Sequence, residues 1–177
     1  MTEKIYNYLR PNAFRFTILD IPNVSFTVQT AFLPDISGQA AFQPTPFIDL
    51  PRIGDKLTHE DLTIKFVVNE NMDNYLELYY WMTAIGFPNN YREFSNLLSS
   101  RKNTRVFAET GEETLAYSDA ELVLLNSDNL PNISITYKDA FPVNLSGMTV
   151  DVSSNNTEYL TCEATFKFSY FDIKLLK

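Results

Sequence analysis

The stretch Thr157-Glu-Tyr-Leu-Thr-Cys-Glu-Ala-Thr-Phe-Lys-Phe-Ser-Tyr-Phe-Asp172 alternates in polarity from Leu160 onward without a break. Leu160, Cys162, Ala164, Phe166, Phe168 and Tyr170 fall on one face, and Thr161, Glu163, Thr165, Lys167 and Ser169 on the other. Strict period two predicts a strand with one buried and one wetted face. At about 3.3 Å per residue such a strand would extend roughly 50 Å, far beyond the common length of about 5–6 residues. That is more than a small core needs and suggests a sheet that continues past its own subunit.

Working outward, Ile133, Ile135 and Tyr137 alternate as a strand, and Asp139–Gly147 reads as a turn-rich link. A short alternating run, Met148, Val150 and Val152, leads to the polar turn Ser153–Asn156. Ala120–Leu125 and Asn132–Lys138 form a hairpin across Asn126–Asn129. Ala13–Ile21 and Val24–Phe32 alternate around Pro22-Asn23 and predict a second antiparallel hairpin. Asp61–Asn69 is a further strand with Leu62, Ile64, Phe66 and Val68 on one face.

One segment has helical period. Asn71 is its candidate cap, Asp73 complements the dipole in the first turn, and Tyr75, Leu78, Tyr79, Met82 and Ile85 form the apolar stripe. Gly86-Phe87-Pro88 stops it. A shorter helix is expected over Tyr91–Ser100, with Asn90 and Glu93 as a capping box. The fold class is therefore mainly β with one or two helices, an antiparallel β-sandwich or barrel flanked by a helix.

Gln39–Thr58 breaks both periods. It carries Pro44, Pro46 and Pro51 among Phe42, Phe47, Ile48, Leu50 and Ile53. Prolines exclude a helix interior or central strand, and the apolar residues exclude a purely solvated loop. A long loop of this mixture reads as one ordered by a partner.

The 177 residues suit one domain, and a 45% hydrophobic content supports a real core. Net charge is −8, with 14 basic and 22 acidic side chains. That balance argues against wrapping nucleic acid through phosphate contacts, which need Lys and Arg, and is compatible with a conduit to which DNA does not stick. No run approaches a membrane span, and the first ten residues lack the apolar core of a signal peptide. The Asn-x-Ser/Thr triplets at Asn23, Asn132, Asn144 and Asn155 read as coincidence. A single cysteine forms no internal disulfide and fits a reducing compartment.

Candidate chemistry is thin. His59 is the lone histidine, and its neighbours Glu60 and Asp61 would point to alternate faces, so the trio reads as surface. Cys162 lies on the apolar face and reads as a small buried hydrophobe. No metal-ligand spacing, phosphate loop or nucleophile elbow occurs. The acids read as a solvated face, Trp81 as helix core rather than a sugar platform, and Arg101–Arg105 as a solvated loop. A sharper reading of that basic run pairs it with Glu109, Glu112 and Glu113 across subunits. Neither an enzyme nor a cofactor is expected.

The order of blocks carries a family resemblance. It runs Arg10-Pro-Asn-Ala-Phe-Arg-Phe16, Phe26-Thr-Val-Gln-Thr-Ala-Phe-Leu-Pro34, Gly54-Asp55, Asp61-Leu-Thr-Ile64 and Asn69-Glu70 before a helix containing Trp81. It continues with Phe141-Pro-Val-Asn-Leu145 and a long final strand ending Tyr170-Phe-Asp172. The chain resembles the tail tube proteins of contractile-tailed bacteriophages, with Phe87–Glu113 as an insertion that departs from the family pattern. The resemblance implies one tail-tube domain over residues 1–177, with its long loop at 39–58. It implies a virion structural protein forming a ring, usually a hexamer, that stacks into the conduit for phage DNA. Neighbouring tube or baseplate rings are its partners, with the tail sheath as a further candidate, and assembly takes place in the host cytoplasm. Phe42, Phe47, Ile48 and Leu50 would contact the next ring, and Thr161, Glu163, Thr165 and Lys167 would face the lumen. Rival readings are a single-ring protein of the same fold (baseplate tube initiator or tail terminator), a type VI secretion tube protein, and a carbohydrate-binding β-sandwich or hydrolase.

Overall fold

The long ladder implied by the C-terminal sequence is built from two strands that bend together. The computed structural model describes residues 8–25, 27–86, 91–104, 116–151 and 159–176. Along the chain these form β1 (Phe14–Ile18), α1 (Pro22–Ser25), β2 (Val28–Ala31), β3 (Ile36–Pro44), β4 (Asp49–His59) and β5 (Leu62–Val67). α2 (Asp73–Gly86), α3 (Tyr91–Thr104), β6 (Ser118–Leu125), β7 (Pro131–Leu145), β8 (Thr161–Lys167) and β9 (Tyr170–Leu175) follow. Val152, the Ser153–Asn156 turn, Phe26 and Asn90 lie outside the described residues.

β7, at 15 residues, is the longest strand, and the expected link at Asp139–Gly147 is largely its second half. Its first half lies between β6 and β9, and its second half pairs with β8. One sheet runs β1-β6-β7-β9 and the other β7-β8-β5-β2, so β7 belongs to both. The expected single strand to Asp172 is interrupted at Phe168-Ser169, which divides β8 from β9. Register is nevertheless kept across the interruption, because Phe141 faces Lys167 and, three residues earlier, Lys138 faces Tyr170.

The bend on β7 is a bulge. Between Ser118 and Ala120 of β6 the register of β7 slips by one residue, and Asp139 takes φ 55°. Aspartate tolerates this left-handed conformation better than most residues. The Asp139 amide donates to Asp119 Oδ1 at 3.4 Å, and the same carboxylate accepts a charge-assisted bond from Lys138 Nζ. The bulge changes which residues face inward, from Ile135 and Tyr137 before it to Ala140 and Pro142 after it. The partner strand changes phase at the same place. Cys162, Ala164 and Phe166 are buried in β8, but in β9 Tyr170 is 54% exposed and Phe171 packs on the core instead. This corrects the expected placing of Tyr170, and of the 42% exposed Leu160, on the buried face. Phe168, Phe171 and Tyr137 fill the corner, with the Tyr137 and Phe168 rings 5.1 Å apart.

Across the core, Leu62, Ile64 and Phe66 of β5 stand opposite Phe166, Ala164 and Cys162 of β8. They join Phe16, Ile18, Leu122, Ile135 and Tyr137 of the other sheet, closed over by Leu78 and Trp81 of α2. Full burial of each larger apolar side chain contributes about 1.5–3 kcal/mol. Among the described residues the sandwich does not close into a barrel, since β1 pairs with β6 alone and β2 with β5 alone.

Three local expectations are corrected. β1 and β2 do not form a hairpin but lie in different sheets. Pro22 starts a one-turn helix between them, where its fixed φ suits the first helical position. Asn71 does not cap α2; Leu76 N donates to the carbonyl of Met72, which itself has φ 59°. The polar anchor is Asn74, whose Oδ1 accepts from Asn69 N (3.2 Å) and Tyr75 N (2.9 Å). Its Nδ2 donates to Thr27 Oγ1 (2.8 Å) and to the Val67 carbonyl (2.7 Å). The helix consequently buries Asn74, Leu78, Trp81 and Ala84, leaving Tyr79 exposed. α3 runs to Thr104, past the expected Ser100.

Two stability measurements check this account. Asp139→Val should lower the stability read from urea unfolding by about 1–2 kcal/mol, because a β-branched residue resists positive φ. Asp139→Gly should stay within about 1 kcal/mol of the parent; equal costs for both would refute the backbone constraint. Asn74→Ala should cost about 2–4 kcal/mol, since buried backbone and side-chain partners lose their bonds together. A loss below about 1 kcal/mol would remove Asn74 as the anchor of α2.

Candidate functional site

Two surfaces stand out, and neither is a catalytic cleft. The first is the hairpin β3–β4, which corrects the expected irregular loop at 39–58. It is a regular two-stranded ribbon, paired from Ile36 opposite His59 to Pro44 opposite Asp49. Both strands are edges, which lets Pro44 and Pro51 sit inside strands. Near the base the register shifts between Gly38 and Ala40. There a Cβ on Gly54 would lie 1.9 Å from the Gln39 carbonyl oxygen, so only glycine fits. At the tip the Thr45 amide donates to the Ile48 carbonyl (3.2 Å), and the Ile48 amide donates to Thr45 Oγ1 (3.2 Å).

Cross-strand partners share a face of a ribbon. Ala40 with Ile53, Phe42 with Pro51 and Gly38 with Leu57 therefore form one apolar face. Gln43 with Leu50, Ala41 with Arg52 and Ser37 with Thr58 form a more polar one, where Arg52 Nε donates to Gln43 Oε1 at 3.0 Å. The apolar face is uncovered, with Phe42 67% and Ile53 fully exposed, and at the tip Phe47 is 98% exposed. Ile48 and Leu50 are exposed as well. Phe42, Phe47, Ile48 and Leu50, the residues named from sequence, all lie exposed on this arm, and Ile53 and Leu57, not named as contacts, are exposed on it too. Alternation of Pro51, Ile53 and Leu57 along β4 was the available signal, obscured by the prolines.

The second surface is the outer face of β8. Thr161, Glu163, Thr165 and Lys167 point away from the buried Cys162, Ala164 and Phe166. Across the ladder Glu163 stands opposite Lys65 and Thr165 opposite Thr63. Lys167 Nζ pairs with Asp61 Oδ1 at 2.8 Å. The face is wetted and of mixed charge, with Val67 of β5 opposite Thr161 and Phe141 of β7 opposite Lys167 at its two ends.

The remaining candidates take structural places. His59 ends β4 half-buried, its ring 5.7 Å from Phe168 and 5.4 Å from Phe171, and so packs the root of the arm against the corner of the sheets. Burial raises the Cys162 thiol above its ordinary pKa, and Ser146 bonds moderate the effect. A thiol of that kind is a poor nucleophile. Burial likewise pushes the Tyr137 phenol upward. Trp81 is 2% exposed and donates from Nε1 to the Ala116 carbonyl at 2.9 Å, so it offers no platform to a sugar. Side chains 101–104 and residues 105–115, hence Arg101–Arg105 and Glu109, Glu112 and Glu113, lie outside the described residues, as do 87–90 of the expected insertion.

Comparison with known proteins bears on the fold. The chain is similar to one in the 6-fold symmetrised cryo-EM structure of the anti-feeding prophage baseplate. The TM-score is 0.61 at 15% identity, over 96% of this chain and 97% of that one. A chain of the PVC sheath-tube complex, an extracellular contractile injection system in its extended state, gives 0.59 at 12% identity, over 96% and 93%. A chain of the anti-feeding prophage tube-terminating cap gives 0.56 at 14% identity, over 98% and 95%. At such identities the likeness is one of fold. No curated protein matches the chain in sequence. The sequence profile described as phage tail tube protein matches residues 4–174, nearly the whole chain. The chain belongs to the phage tail tube protein family.

Proposed function

We propose that this protein is one subunit of a ring, six to a ring, in the tail of a contractile-tailed particle, with residues 1–177 acting as a single tail-tube domain. Rings stack through the β3–β4 arm and enclose a conduit through which DNA passes without specific binding. Neighbouring tube or baseplate rings are its partners, the sheath surrounds it, and the rings assemble in the host cytoplasm. The protein carries out no chemistry.

The observation that carries the reading is the arm. A hairpin exposing Phe42, Phe47, Ile48 and Ile53 to water is unfavourable for an isolated monomer and natural for a contact. Burying each such side chain between rings would contribute about 1.5–3 kcal/mol. Among the described residues β1 and β2 each have a partner strand on one side only, and pairing edges between neighbours would satisfy the backbone groups left open there. The Thr161, Glu163, Thr165 and Lys167 face then lines the lumen. The net charge of −8 makes the subunit repel phosphate rather than hold it.

Negative-stain microscopy of the purified protein tests the assembly. Long tubes are expected; single rings that never stack would favour the initiator or terminator role, and monomers alone would end the ring reading. Replacing Phe42, Phe47 and Ile48 together with Ser should leave the circular dichroism spectrum and melting unchanged but weaken stacking. In hydrogen exchange, amides of β3 and β4 should exchange fast in the monomer, since an isolated two-stranded hairpin is marginally stable, and slowly in the assembled particle. Equal protection in both states would put the arm in the subunit's own structure and dismiss the stacking role.

A further inference from the structure

The arm has a matching surface elsewhere on the same chain. A groove of about 840 Å³ opens at the end of β5, lined by Val67, Val68, Met72, Tyr75, Val150 and Leu160 among others. Val150 is 79% exposed, and Leu160 and Met72 are 42% and 37% exposed. The space is of the size that accepts several side chains, and its lining is mostly apolar.

Its position relative to the arm is set by the strands. β4 ends at His59, and β5 begins three residues later at Leu62, which faces Phe166 of β8. The groove lies at the opposite end of the same pair, where Val67 faces Thr161 and Val68 N donates to the Leu160 carbonyl at 2.8 Å. Arm root and groove are thus separated by the full length of β5, which at six residues spans about 20 Å. The arm, with nine residues in β3 and eleven in β4, reaches about 30 Å. Both of its strands are exposed along nearly their whole length, and the groove sits at the other end of β5 from its root, so each is open to a different copy.

We infer that this groove receives the arm of a second copy of this chain, with Phe47 and Ile48 entering and Phe42 and Ile53 covering its rim. The two surfaces differ and lie at opposite ends, so the contact is heterologous. Such a contact does not satisfy itself in a pair and propagates into a stack. The inference rests on the proposed stacking role of the arm and adds the surface that accepts it. The groove between α2 and α3, which Tyr79 and Tyr80 line, is the competing receptor; each groove has one Glu and one Asn in its lining, Glu70 and Asn69 in the first and Glu93 and Asn96 in the second, but Ala84 and Leu97 are the aliphatic lining of the second against the valines, methionines and Leu160 of the first.

Thiol cross-linking tests the match. In a Cys162→Ala background, Phe47→Cys chains and Val150→Cys chains are mixed, assembled and treated with a short bismaleimide. A dimer linking the two kinds of chain is expected, and chains carrying both substitutions should give a ladder of linked multimers. Pairing Phe47→Cys with Tyr80→Cys serves as the control and should give little product. Val150→Asp, at a position exposed in the monomer, should leave melting unchanged and weaken association by about tenfold or more. If particles stack normally but Phe47→Cys links to Tyr80→Cys, or not to Val150→Cys, the groove assignment is overturned while the stacking role stands. If no association of copies occurs under any condition, both fall together.

Discussion

The fold depends on one bent ladder. β7 belongs to both sheets, and it does so because Asp139 at φ 55° inserts an extra residue opposite β6. Without that bulge the odd-numbered residues that bury Ile135 and Tyr137 would continue inward past Lys138, and Ala140 and Pro142 would face water. The partner strand makes the same change at Phe168-Ser169, so the register between the two survives the bend. Both halves of the ladder can then place an apolar face on one core, and the corner is packed by Tyr137, Phe168 and Phe171. A bulge is a common device for turning a strand from one sheet to another.

That corner also joins the body to the arm. His59, the last residue of β4, rests on Phe168 and Phe171, so the root of the projecting hairpin is packed on the point where the sheets meet. Beyond it the hairpin loses contact with the body and becomes a ribbon with an apolar and a polar face. The molecule therefore divides its apolar side chains between two purposes. Those of β1, β5, β6, β7 and β8 hold the sandwich, and those of the arm remain open to solvent. Exposed apolar side chains gathered on one projecting ribbon are of the kind that suits contact with another protein surface. The buried Cys162 and the packed His59 belong to the structural side of that division.

Sequence and structure agree where a short period runs uninterrupted. Leu62, Ile64 and Phe66 alternate and are all buried, and so are Cys162, Ala164 and Phe166, because period two and one-sided burial are the same geometrical fact. The hairpin over Asn126–Asn129 was readable too, since Asn126 Oδ1 accepts the Asp128 and Leu130 amides and turns the chain locally. The polar faces of Thr161 to Lys167 and the apolar residues at Phe42 to Leu50 followed from residue type alone. α2 was legible as a helix but not in its orientation; Asn74 was hidden because its four partners come from Thr27, Val67, Asn69 and Tyr75 on either side of a strand.

What the sequence by itself determined is the strands whose period two runs unbroken, β5 and β8, with their inward residues, the hairpin across Asn126–Asn129, and the order of blocks that marks the family. Those properties reside in nearest neighbours along the chain and in local turn chemistry. Beyond that hairpin, only the tertiary structure decided which strands pair. Pro22 could close a hairpin or begin a helical turn, and it does the latter because β1 and β2 find longer partners in β6 and β5. The bend at Asp139 and Phe168-Ser169, the ribbon built around Pro44 and Pro51, and the groove at the far end of β5 likewise depend on residues remote in sequence. Pairing energy is realised between strands, and nothing in the alternation of one strand states which other strand will supply it.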